Sequence, residues 1–106
     1  MIKEKRREIK ETFASLEKML SQAGSAESIV TAPKFRELVA KAKDYLHEFD
    51  EKGYVDSYFS LDIAKAIDAI ENCQSEIKWK RNGDEWFDTA RKRIRKVTNR
   101  LKDWAD

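Results

Sequence analysis

Apolar residues in this chain recur at alternating steps of three and four, the spacing that draws a stripe down one side of an α-helix. The last run is the clearest. Phe87, Ala90, Ile94, Val97, Leu101 and Trp104 predict a helix over residues 84–104. Ile9, Phe13, Leu16, Leu20 and Ala23 predict a first helix over about 2–23, with Ile2 in the same register. Phe35, Leu38, Val39, Ala42, Tyr45, Leu46 and Phe49 form a broader stripe that predicts a second, ending near Asp50. Ile63, Ala66, Ile67, Ile70, Cys73, Gln74 and Ile77 mark a third, which fades through residues 78–81.

The residues between these runs are punctuation. Gly24 suits a left-handed helix end, and Thr31 is a candidate N-cap with Pro33 in the first turn. Residues 25–30 read as a loop. Gly53 ends the second helix, Ser60 is a candidate N-cap for the third, and Asn82-Gly83 marks a turn before a cap at Asp84. Glu85 and Asp88 suit the positive end of the last helix's dipole.

Four amphipathic helices of about 20 residues are each about 30 Å long. Joined by short loops, they predict an all-α fold, an antiparallel up-down-up-down four-helix bundle in one domain over 1–106. The last helix then lies beside the first and third. One end gathers Ile29, Val30, Trp79 and Trp86 beside Lys78, Lys80 and Arg81. The other gathers Tyr54, Tyr58, Phe59, Leu101 and Trp104, with the apolar connector 54–59 folded over the core.

Composition agrees with helices. The chain has only 3 Gly and 1 Pro in 106 residues, and 40% of its residues are charged. No apolar run nears the ~20 residues that span a bilayer. The charged start leads into no apolar segment of a signal peptide, and a single cysteine cannot form an internal disulfide. These features predict a soluble, cytoplasmic protein with no membrane partner.

Charge changes the picture more. The net charge is +2, yet residues 78–102 carry +7 and residues 34–77 carry −4. From Arg91 to Lys102 the last helix has no acidic residue, while Arg91, Lys92, Arg93, Arg95, Lys96, Arg100 and Lys102 surround its apolar stripe.

Candidate chemistry is sparse. His47 is the only histidine, and Asp44-x-x-His47 alone is too few ligands for a metal. Its expected state is a surface histidine among acids. Cys73 falls on the apolar seam and is expected to be a buried thiol rather than a nucleophile. Arg6 also falls at a seam position, where its long side chain is expected to reach out to water. No nucleophile elbow or phosphate-binding glycine loop occurs, and no cofactor is implied.

The expected function is therefore a non-enzymatic interaction module: a small adaptor, inhibitor or accessory subunit. It would dock onto the acidic surface of a larger protein or nucleoprotein through its basic last helix. The candidate binding residues are Lys78, Trp79, Lys80, Arg81, Trp86, Arg91, Lys92, Arg95, Lys96 and Lys102. Three alternatives stand beside this. The same cations could hold nucleic-acid phosphates, with Trp79 stacking on an unpaired base. They could be a solvated face neutralised at home by Asp62, Asp68, Glu71, Glu4 and Glu11. The wide stripe of the second helix could also seat a second copy in a homodimer.

Overall fold

In a computed structural model that describes residues 2–104, the chain folds into five α-helices and, among those residues, no strand. They are α1 (Lys3–Gln22), α2 (Ala26–Val30), α3 (Pro33–Lys52), α4 (Ser57–Lys78) and α5 (Asp84–Leu101). Asp106, which enters the charge tally, lies outside the described residues.

The four long helices appear where the three/four spacing places them, because each has one stripe to bury. Ile9, Phe13, Leu16 and Leu20 of α1 meet Phe35, Tyr45 and Phe49 of α3 in one core. Ile63, Ile67 and Ile70 of α4 and Phe87, Ile94 and Leu101 of α5 complete it. Each large side chain removed from water contributes roughly 1.5–3 kcal/mol. The packing order is cyclic: α1 on α3, α3 on α4, α4 on α5, and α5 back on α1. The basic helix therefore lies between α1 and α4, as its sequence position predicts.

Several boundaries differ from the sequence reading, each for a local reason. Residues 25–30 are not a loop. Ser25 accepts a hydrogen bond from the Ser28 amide and caps the short α2, which buries Ala26 and Val30. Thr31 ends α2 instead of starting α3, and its hydroxyl donates to the Glu27 carbonyl. α3 starts behind Ala32 with Pro33 as its first residue. α4 begins before Ser60, because Asp56 Oδ1 accepts from the Phe59 amide at 2.8 Å. Gly24 is not left-handed; α1 ends through Ala23 in an extended conformation. Asp84 does not cap α5. The Asn82 side chain accepts from the Asp84 amide instead.

Gly53 takes the left-handed conformation at the end of α3, with φ 65°. The other left-handed residue is Lys80, with φ 58°. Around it the Arg81 amide donates to the Glu76 carbonyl and the Lys80 amide to the Ile77 carbonyl, two bonds that close α4 as a Schellman motif.

The last helix stops at Leu101, three residues short of its predicted end. Trp104 follows in a turn, stacked on Phe59 at 5.9 Å between centroids and edge-on to Phe49 at 6.3 Å. That cluster closes one end of the core. Phe59 joins it, but Tyr58 is 78% exposed and stands outside it.

Candidate functional site

The outward face of α5 follows from its inward one. With Phe87, Ala90, Ile94, Val97 and Leu101 buried, helical geometry turns Lys92, Arg95, Lys96 and Asn99 to solvent as one ridge. These four line a shallow groove that runs to Arg100 and Asp103, and Lys102 extends the exposed row.

Several α5 cations, Arg95 and Lys96 of the ridge among them, lean on acids of α1, of α4 or of α5 itself. Asp62 of α4 accepts from Arg100 at 2.9 Å and lies 3.3 Å from Lys96 Nζ. Asp56 takes the other Arg100 nitrogen at 3.3 Å. Glu17 of α1 stands 3.9 Å from Arg95, and Asp88 stands 3.9 Å from Arg91. Arg93 donates to the Lys65 carbonyl. Burial works against the Asp62 carboxylate, but the hydrogen bonds from Arg100 and Lys96 outweigh it and hold its pKa below the ordinary value. Arg100 also lies over the Phe59 ring at 4.5 Å. Of the acids expected to neutralise this face, Asp62 does so. Glu71 instead pairs with Lys43 of α3 at 2.9 Å, and Asp68 accepts from Asn72 within α4. Glu17 was not among the expected acids, though its place on α1 opposite a basic α5 is the signal that points to it. Among the described residues, Lys92 has no ion-pair partner, and Lys102 bonds only the Asn99 side chain.

The remaining candidate residues do not join this ridge. Lys78 and Trp79 line a separate groove between α3 and α4, and Trp79 is 66% exposed. Arg81 is tied to Glu76 at 3.1 Å, and Lys80 is exposed at the helix end. Trp86 packs half-buried against the core. As expected from the sequence, all these lie at one end, around the corner from α4 into α5. They face different ways there: Trp79 borders the groove toward α3, while Trp86 packs against the core.

The corner that joins α4 to α5 is held tightly. Gly83 lies under α4, where a Cβ would stand 3.2 Å from the Cys73 carbonyl oxygen and 3.3 Å from an Ile77 carbon. The Cys73 thiol donates to the Gly83 carbonyl at 3.4 Å. Burial, with the nearby charge of Asp84, pushes that thiol up to about 11. It is buried and protonated, the opposite of an activated nucleophile.

His47 is exposed and lies 3.7 Å from Glu51 on its own helix. Among the described residues no group of three or more His, Cys, Asp or Glu side chains stands close enough to hold a metal ion, and no helix is long and apolar enough to cross a membrane. Arg6 is half-buried, and its Nε is out of contact with water and without a hydrogen-bond partner among the described residues.

Comparisons with family models, curated proteins and solved structures return no match to this chain.

Proposed function

We propose that this protein is a non-enzymatic interaction module, an adaptor, inhibitor or accessory subunit of the cytoplasm. In this reading it docks onto an acidic surface of a larger protein or nucleoprotein through the outer ridge of α5. One observation carries it. Lys92, Arg95, Lys96 and Lys102 project from one side of a helix whose opposite side is locked into the core. Such a rod presents charge in a fixed pattern and loses little freedom on binding. The carboxylates of Asp62 and Glu17 beside the cations favour a partner of mixed polarity over a uniform row of phosphates.

The rigid frame in this reading is an antiparallel up-down-up-down bundle of α1, α3, α4 and α5, with α2 as a cap in the first connection. Supporting it, Lys5 pairs with Glu48, Asp62 with Arg100, and Glu17 with Arg95. The first two pairs each join an early part of one helix to a late part of its neighbour, and Lys10 reaches the Trp104 carbonyl while Glu17, further along α1, meets the earlier Arg95 of α5.

A second reading, direct binding to nucleic-acid backbone, is favoured by Lys92 and Lys102. Neither has a carboxylate partner among the described residues, and ten residues of helix set them about 15 Å apart. Affinity capture with and without nuclease, using the protein and a Lys92→Glu, Arg95→Glu, Lys102→Glu variant, separates the readings. The interaction-module reading expects a nuclease-resistant partner that the variant loses. An identical set of partners on both baits would overturn the role of α5. A short labelled duplex and single strand, titrated at low salt, test the second reading. Binding that falls linearly in log–log form with salt supports it, and no binding ends it.

A further inference from the structure

The α3–α4 side of the molecule carries two hollows in line. One, of about 670 Å³, has Val39 and Ile77 at its base and Arg36, Lys78 and Trp79 at its rim. The other, of about 310 Å³, has Leu46, Ala64 and Ile67 at its base and Asp50 and Asp68 at its rim. Lys43 and Glu71 border both, and their 2.9 Å ion pair bridges the space between them. Arg36 shares an end with Lys78, and Asp50 shares the other with Ala64, so α3 and α4 run in opposite directions along this face.

Charge is divided between the two ends. At one end, Arg36, Lys78 and the neighbouring Lys80 have no ion-pair partner among the described residues. At the other, Asp50 and Asp68 meet no cation among the described residues; Asp68 only accepts from Asn72. On α3, Arg36 and Asp50 stand seven residues to either side of Lys43. On α4, Lys78 and Asp68 stand seven and three residues to either side of Glu71. A surface with opposite charge at its two ends is complementary to its own antiparallel copy. A two-fold axis lying in the face, across the helices at the level of Lys43 and Glu71, brings each positive end against a negative end.

The apolar parts fit the same operation. Trp79 stands just beyond Lys78, two-thirds exposed, at the positive end. The axis carries it to the level of Asp50 and Ala64 in the other copy. There the Leu46, Ala64 and Ile67 hollow offers a seat for the indole, with Asp68 beside it to meet Lys78 and Lys80, while Asp50 meets Arg36. Each copy supplies one tryptophan and one socket, so the contact forms twice. Two helices about 30 Å long, packed side by side about 10 Å apart, present a face of roughly 600 Å². Two such faces cover roughly 1,200 Å², within the range of specific interfaces.

We propose that the protein forms a symmetric antiparallel homodimer through its α3–α4 face, with Trp79 of each copy seated in the Leu46–Ala64–Ile67 hollow of the other. This interface leaves the α5 ridge free, so it stands or falls separately from the docking function.

Sedimentation equilibrium over a wide concentration range tests it. The unmodified protein is expected to approach twice its 12.4 kDa monomer mass. Two charge-reversed forms are then compared: Arg36→Glu with Lys78→Glu, and Asp50→Lys with Asp68→Lys. All four side chains are exposed, so both forms are expected to keep the helical circular dichroism of the parent. Each alone is expected to dimerise at least tenfold more weakly, because like charges then meet. Mixed one to one, the two forms are expected to pair with each other, since every reversed charge again meets its opposite. Trp79→Ala tests the anchor without changing charge and is expected to weaken the dimer at least tenfold. A monomer at all concentrations up to about 1 mM would overturn the proposal. So would a dimer that is indifferent to these changes, or reversed forms that fail to pair when mixed.

Discussion

Arg100 and Asp62 lie 38 residues apart in sequence, yet their side chains meet: Arg100 Nη1 donates to Asp62 Oδ2 at 2.9 Å and so ties α5 to α4. The carboxyl is 16% exposed on its side chain and also faces Lys96. Because its folded pKa is lowered, the folded protein binds this proton less readily than the unfolded chain. Its contribution is present above the ordinary value of 3.8 and is lost as pH falls through the lower, folded value. Asp62→Asn is expected to lower stability at pH 7 by about 1–2 kcal/mol and to flatten the acid limb of stability against pH. Urea unfolding at a series of pH values measures both. An acid limb as steep as the parent's would remove Asp62 from the account.

Lys80 stands where a helix end usually carries glycine. A side chain in the left-handed region costs roughly 1 kcal/mol that glycine does not. Lys80→Gly is therefore expected to raise stability by about 0.5–1 kcal/mol, read as a shift of the urea midpoint at constant slope. Loss of stability would mean that the lysine side chain contributes more than its backbone costs.

Gly83 tests the same corner from the other side. Its added Cβ in Gly83→Ala would press within 3.2 Å of a helix carbonyl, Cys73 O, which has no rotamer to give. The expected cost is about 1–2 kcal/mol. Since Cys73 borders the same contact, Cys73→Ala is expected to recover part of it, and thermal unfolding of the single and double variants measures the coupling.

Tyr45 links α3 to α1, donating to Glu8 at 2.6 Å beside the buried Thr12 hydroxyl. Burial first, then the bond to Glu8, raises its pKa from 10.0 to about 12. The raised value means that the folded state favours the neutral phenol. That contribution is intact below pH 10 and lost as pH climbs toward 12. Tyr45→Phe is expected to cost about 1 kcal/mol at pH 7 and to remove the ultraviolet phenolate step near pH 12. An unchanged titration curve would contradict the assignment.

Periodicity made the long helices legible, since each stripe has to be buried. Short-range chemistry was harder to read. α2 is five residues long, too short to show a period, so only Ser25 and Ser28 mark it. Asp56 and Ser60 are both capping residue types at the start of α4, and the apolar spacing does not distinguish them. The basic ridge was visible because Phe87, Ile94 and Leu101 fix which way α5 faces. The direction in which Trp79 faces was not, because it depends on how α4 leans toward α3, which no local pattern states.

The central claim is that the outer ridge of α5 is the surface a partner touches. A photo-crosslinking residue at position 95, introduced in cells that make the protein, tests it most directly, with position 37 on the exposed side of α3 as control. The account predicts a covalent adduct of defined mass from position 95, resistant to nuclease and absent from position 37. Adducts from position 37 with none from position 95 would contradict it.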